Sequence, residues 1–187
     1  LEINEKIHLM GVSMGGMIAQ NFVLKYPNKV KTLILYATSA YWSANKLIDE
    51  WKQRENMDLD EAFEMELNGL FSKKYISEMK KNKVFYENLK ETIMLNNPPS
   101  FQDFLNQASA ANKTHDSRDL LPKIHQPTLI MSGTDDVIID PSESEYLNEK
   151  LPNSELVLLE GLGHGFIVED ADNVNKITWD FIQKHLE

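Results

Sequence analysis

Three short segments of this sequence carry side chains that could act together as nucleophile, base and orienting acid. Gly11-Val12-Ser13-Met14-Gly15-Gly16 fits the pattern G-x-S-x-G. A serine hydroxyl attacks poorly until a base takes its proton, and that base must be held in one tautomer by a third group. The chain has five histidines to offer as base. His8 falls within an apolar run and reads as a packed or hydrogen-bonded core residue. His115 and His125 fall in polar connecting stretches, and His185 falls in the last helical turn. Only His164 sits in a glycine-rich loop, Gly161-Leu162-Gly163-His164-Gly165, directly after an apolar run. For the acid there are two neighbours, Asp135 and Asp136, in the loop Gly133-Thr134-Asp135-Asp136. One residue of offset decides which carboxylate faces the imidazole, and spacing leaves both open.

The pattern around Ser13 is short, and its letters alone recur by chance in roughly one chain of this length in twenty. Its context adds the weight. Lys6 to Val12 is a mostly apolar run without helical period, as a buried parallel strand requires. Met14 to Lys25 reads as a helix stopped at Tyr26-Pro27-Asn28. Val30 to Ala37 is a second apolar, β-branched strand, so the serine would occupy the sharp turn of a βαβ unit. There the helix N-terminus favours negative charge, and the Met14 amide would point toward a developing oxyanion. Glycines two residues either side of the serine would let strand and helix approach closely.

The same rhythm returns near the end. Pro127 to Ser132 reads as a strand leading into the aspartate loop, and Ser142 to Leu151 as a helix with Pro141 near its start. Ser154 to Leu159 reads as a strand leading into the His164 loop. Asp170 to His185 closes the chain as an amphipathic helix with Val174, Ile177, Phe181 and Ile182 on one face. Serine, acid and histidine thus each follow a parallel strand, at the sheet edge where sites of open α/β sheets assemble.

Between these blocks the character changes. From about Tyr41 to Leu121, apolar residues recur at three- and four-residue spacing, as in Leu59, Phe63, Leu67 and Leu70-Phe71. Four to six short helices are expected, with breaks at Gly69, at Asn96-Asn97-Pro98-Pro99 and at Pro122. A stretch this long is no plain loop and should be a helical insertion. The expected fold is therefore α/β, with about four parallel strands, flanking helices and a helical insert. Residues 1–40 and 122–187 would form the core, and 41–121 the insert. Its aromatic and Met side chains, among them Met57, Phe63, Phe71 and Met79, could line an apolar pocket but are expected mainly to form the insert's own core.

Composition narrows the function classes. The net charge of −10 disfavours nucleic acid, whose phosphates it would repel. The Lys73–Lys83 stretch is interleaved with Glu78 and apolar residues and reads as a solvated helix face. No run approaches the roughly 18–20 apolar residues of a membrane helix, so no membrane partner is expected. The absence of cysteine excludes disulfides, cysteine metal sites and thiol nucleophiles, and fits a cytoplasmic location. His, Asp and Glu show no metal-ligand spacing, and GVSMGG lacks the Lys-Ser/Thr ending of a phosphate-binding loop. No metal or cofactor is expected.

With these segments in view, GVSMGG (11–16), QPTLIMSGTDDVIID (126–140) and ELVLLEGLGHGF (155–166), the chain resembles the second half of an α/β-hydrolase. The resemblance is to the capped serine esterase, lactonase or carbon–carbon hydrolase type. It implies Ser13 as nucleophile and His164 as base. It also implies Asp136 as the acid, because the family's acid lies three residues after the glycine ending its strand. The insert then corresponds to a lid. Serine in the turn speaks against the dehalogenase and epoxide-hydrolase relatives, which use aspartate there. The implied activity is cleavage of a small-molecule carboxylic ester or related acyl substrate through an acyl-serine, and the Met and aromatic side chains of the insert favour a small or medium apolar acyl group. An acyltransferase, a carbon–carbon bond hydrolase, or an inactive fragment or binding protein are the alternatives.

The chain departs from the family in what precedes the Ser13 strand. The family places about four strands and a second oxyanion donor there, and only Leu1 to Lys6 stand here. Either the 187 residues are a piece of a longer protein, or the open strand edge pairs with a second copy as a homodimer.

Overall fold

In a computed structural model the structure describes residues 5–43, 45–54, 57–94 and 100–186. The expected break at Asn96-Asn97-Pro98-Pro99 lies outside the described residues. The first block is strand β1 (Ile7–Val12), helix α1 (Met14–Lys25) and strand β2 (Val30–Tyr36). Five helices follow among the described residues: α2 (Asn45–Arg54), α3 (Leu59–Leu70), α4 (Lys73–Lys81), α5 (Lys83–Met94) and α6 (Phe101–Thr114). The second block is β3 (Thr128–Gly133), α7 (Pro141–Lys150), β4 (Ser154–Leu159), the single turn α8 (Phe166–Glu169) and α9 (Ala171–Gln183).

The four strands form one parallel sheet in the order β1-β2-β3-β4. Successive residues of a strand point to opposite faces, and both faces here are covered. Leu33 and Leu35 of β2 and Ile130 of β3 pack with Ala19 and Val23 of α1 and Leu147 of α7. Ile34, Tyr36, Leu129 and Met131 point the other way, to Phe166, Val174 and Phe181 of α8 and α9. That two-sided burial is why residues 33–36 of β2 and 129–131 of β3 are apolar at successive positions without alternation. Both βαβ crossovers step along the sheet in the same direction. With one handedness they must put α1 and α7 on the same face, as observed.

The helical stretch has a separate core of Ala62, Phe63, Leu67, Ile76, Met79 and Met94. Phe63, Met79 and Met94 thus serve that core, and Met57, Phe71 and Tyr75 pack against it, as the spacing suggests. The break expected at Gly69 does not occur. α3 runs through it to Leu70, because a glycine in a last turn costs only about 1 kcal/mol. The chain breaks instead at Phe71, where it becomes extended, and Ser72 caps α4 by accepting the Tyr75 amide.

The stretch leaves and re-enters the sheet at one place. Tyr41 and Asp116 form an antiparallel bridge, and the Ser117 amide donates to the Ala40 carbonyl at 2.9 Å. Buried Gln20 of α1 donates to the Ser39 carbonyl at 3.0 Å and accepts the Ser117 hydroxyl at 2.6 Å. His115, only 3% exposed, spans Asn21 at Nδ1 and the Ser39 carbonyl at Nε2. The carbonyl can only accept, so Nε2 carries the proton and neutral Nδ1 accepts from the Asn21 amide group.

Burial holds the His115 imidazole below its usual value of 6.5, against the opposing pull of the Ser39 carbonyl and Asp116. The unfolded chain therefore binds this proton first as pH falls. Stability from His115 is complete above its unfolded value and declines as pH drops below about 6.5. Urea unfolding should show stability falling from about pH 7 to pH 5, and falling less steeply in His115→Gln.

Candidate active site

Three of the four strands, β1, β3 and β4, end in turns that deliver the polar side chains to the same edge of the sheet. After β1, Ser13 turns with φ 53° and ψ −123°, in the left-handed half of the map where a side chain is strained by about 1–3 kcal/mol. Three bonds hold it there. The Ser13 amide donates to the Tyr36 carbonyl at 2.8 Å, and the Ser13 carbonyl accepts from the Thr38 hydroxyl at 2.7 Å and from the Gly16 amide at 2.9 Å. The turn follows β1 without a break because α1 starts at Met14.

The glycines around it have unequal roles. A Cβ on Gly11 would lie 2.2 Å from the Gly15 carbonyl oxygen, and one on Gly16 would lie 2.6 Å from the Thr38 side chain. A Cβ on Gly15 would meet nothing within 4 Å. The expectation that the glycines two residues either side of the serine keep Cβ atoms out of the strand–helix approach therefore holds for Gly11 and not for Gly15. Strand and helix meet through Gly11, and Gly16 admits the threonine that holds the turn.

After β3, the two aspartates part company. Asp135 is exposed, its amide donating to the Leu162 carbonyl at 2.9 Å. The Asp136 side chain is completely buried. Its Oδ1 accepts the amides of Ile138 and Ile139, both at 2.9 Å, and its Oδ2 accepts from Nδ1 of His164 at 2.7 Å. With its Nδ1 proton committed, the neutral imidazole presents Nε2 as the basic nitrogen. His164 itself is 8% exposed, after β4.

Ser13, Met14 and His164 line one cavity of about 200 Å³. Its other walls are largely apolar, with Met17 of α1, Trp42, Leu70, Phe104 of α6 and Ile138 among them. Met57, Phe63, Phe71 and Met79 are all absent from this wall. The insert contributes Trp42, Leu70 and one face of α6 instead. The other histidines take the parts expected of bystanders: His8 bonds Thr32 at 2.7 Å, His125 is exposed, and His185 packs edge-on against Phe181. Among the described residues no cluster of His, Cys, Asp or Glu could hold a metal ion, and no helix is long and apolar enough to cross a membrane.

A family profile described as the alpha/beta hydrolase fold matches residues 3–171. The chain belongs to the α/β-hydrolase fold family. This α/β hydrolase is 25% identical over 194 residues to a pimeloyl-(acyl-carrier protein) methyl ester esterase of Neisseria meningitidis, covering 97% of this chain and 71% of that protein. It is 28% identical over 185 residues to Lipase 3 of Moraxella sp., covering 95% of this chain and 57% of the lipase. Among solved structures, MGS-M2, an alpha/beta hydrolase enzyme from a deep-sea metagenome library, superposes with a TM-score of 0.82 at 24% identity. That match covers 95% of this chain and 65% of the other. The chain thus spans between about half and three quarters of the length of these relatives.

The contrast among the glycines predicts a contrast in stability. Gly11→Ala should cost on the order of 3 kcal/mol or prevent folding, because the obstructing atom is backbone. Gly15→Ala should be no less stable than wild type, and chemical denaturation of both variants checks this.

Proposed function

We propose that this α/β hydrolase cleaves carboxylic esters through an acyl-serine intermediate, with Ser13, His164 and Asp136 as its triad. The observation that carries the reading is the meeting of three features at one apolar cavity. These are a serine in a strained strand-to-helix turn, a histidine on the same wall, and a fully buried aspartate on that histidine's Nδ1. Relatives named as an ester esterase and a lipase support the same class of reaction.

His164 Nε2 takes the proton as Ser13 Oγ bonds to the ester carbonyl carbon. The amide of Met14 heads α1, where helix amides lack intrahelical partners, and it donates to the oxyanion. Collapse breaks the ester C–O bond, and His164 returns the proton to the departing alcohol. Water then attacks the acyl-serine with His164 again as base, releasing the carboxylic acid and Ser13. Asp136 stays ionised and stabilises the imidazolium that forms twice per turnover. The α2–α6 insert acts as a lid, since Leu70 and Phe104 close the cavity from its side.

Incubation with a fluorophosphonate should add one adduct to the intact mass, and Ser13→Ala should abolish it. In the same variant, and in His164→Ala, ester hydrolysis should fall by at least roughly 10⁴-fold. Full activity in either variant would refute the triad. The cavity of about 200 Å³ also sets substrate size. In a series of nitrophenyl esters, kcat/KM should peak at short to medium apolar acyl chains, and a preference for very long or charged acyl groups would count against the apolar chamber.

A further inference from the structure

The hydrogen bond to Asp136 fixes one ring nitrogen of His164, yet the residue sits in a loop containing Gly161, Gly163 and Gly165, whose backbone has little stiffness of its own. On one side the loop is tied to the turn after β3, where the Gly161 amide donates to the Thr134 hydroxyl at 2.7 Å and the Leu162 carbonyl accepts the Asp135 amide at 2.9 Å. On the other side it is held by Glu169, the last residue of α8. Its carboxylate gathers donors from two distant parts of the chain. Oε1 accepts the Gly163 amide at 2.8 Å and the Ser72 amide at 3.0 Å, and Oε2 accepts the Ser72 hydroxyl. Alongside, the Gly165 amide donates to the Leu70 carbonyl at 2.6 Å.

Both neighbours of His164 are therefore tied to the turn 70–72, Gly163 through Glu169 and Gly165 directly. That turn joins α3 to α4, and its Leu70 lines the same cavity as Ser13 and His164. The two backbones are in contact, since a Cβ on Gly163 would lie 2.9 Å from the Phe71 carbonyl carbon. No freedom is left to shift the turn without pulling on the loop.

We infer that Glu169 is a positioning residue: its carboxylate clamps the His164 loop to the α3–α4 turn, so the imidazole is in register only while the insert is seated on the cavity. This rests on the reading of Ser13, Asp136 and His164 as a triad. The device works by geometry and needs no charge. In Glu169→Gln the amide oxygen can still accept both backbone amides, and the NH₂ can donate to the Ser72 hydroxyl in place of Oε2. In Glu169→Asp the carboxylate is a methylene short and loses reach to one side.

The test combines steady-state hydrolysis of nitrophenyl butyrate with amide hydrogen exchange read by mass spectrometry, on wild type, Glu169→Ala, Glu169→Asp and Glu169→Gln. Glu169→Ala should lose roughly 10²-fold in kcat, as expected for a misplacement near 1 Å, with KM within a few-fold of wild type. Amides of residues 161–165 and 70–75 should exchange faster together in this variant. Glu169→Asp should behave similarly, and Glu169→Gln should keep most of the activity and the slow exchange. A merely structural role would lower thermal stability in Glu169→Ala while leaving kcat per folded molecule intact. Wild-type kcat in Glu169→Ala, faster exchange in only one of the two segments, or a Glu169→Gln variant as impaired as Glu169→Ala would each overturn the clamp. If Glu169→Ala does not fold, the Gln and Asp variants decide. Should wild type itself hydrolyse no ester, the proposed function fails, and the paired exchange of the two segments still decides whether Glu169 joins them.

Discussion

The turn at Ser13 is the constraint around which the rest is arranged. A serine at φ 53° persists only if its surroundings over-determine it, and here each surrounding piece comes from a different element. β2 supplies the Tyr36 carbonyl, the residues beyond it supply the Thr38 hydroxyl, and α1 closes on the strand through Gly11. The register of β1 on β2, in which Val12 stands opposite Tyr36, places that carbonyl beside the Ser13 amide. The strain is thus offset by a sheet whose two faces are both buried.

The cavity depends on a second arrangement, the seating of the helical insert. Its own core of Phe63, Leu67, Ile76 and Met79 makes it a coherent body, while Met17, Ala111 and Ile139 pack between it and the sheet-forming part. Polar contacts pin it at two separated places. At its ends, Gln20, His115 and Ser117 gather the Ser39 and Ala40 carbonyls. At its α3–α4 turn, Glu169 and Gly165 bind it to the histidine loop. Buried polar networks of this kind specify one arrangement where apolar packing alone would accept several. The cavity between the two pins holds Ser13 and His164 on its wall.

Much of this was legible in the residues. Strand and helix periods placed the sheet elements within a residue or two, and the apolar, β-branched runs Val30–Tyr36 and Thr128–Gly133 announced strands covered on both sides. Ser13 and His164 stood out because glycine spacing and strand ends are local signals. Other features left no such mark. α8 is a single turn, too short to show a period, and Asn82 alone separates α4 from α5. Glu169 looks like any acidic residue before a helix, and its donors at Ser72 lie far away in sequence.

The sequence by itself determined the local pattern: which strands would be buried, where the serine turn falls, and which loops bring histidine and aspartate to a strand end, because these follow from period, glycine placement and side-chain type. Spacing left Asp135 and Asp136 both open and the family resemblance pointed to Asp136, but only the tertiary structure shows the Asp136 carboxylate against the His164 ring. Adjacent residues on a turn differ by which one points inward, and burial against the Ile138 and Ile139 amides settles that in space. Only the tertiary structure, too, brought Leu70 and Phe104 to the cavity wall and Ser72 to Glu169. Those contacts join segments distant in the chain, and their energy comes from surfaces that exist only once both cores have formed.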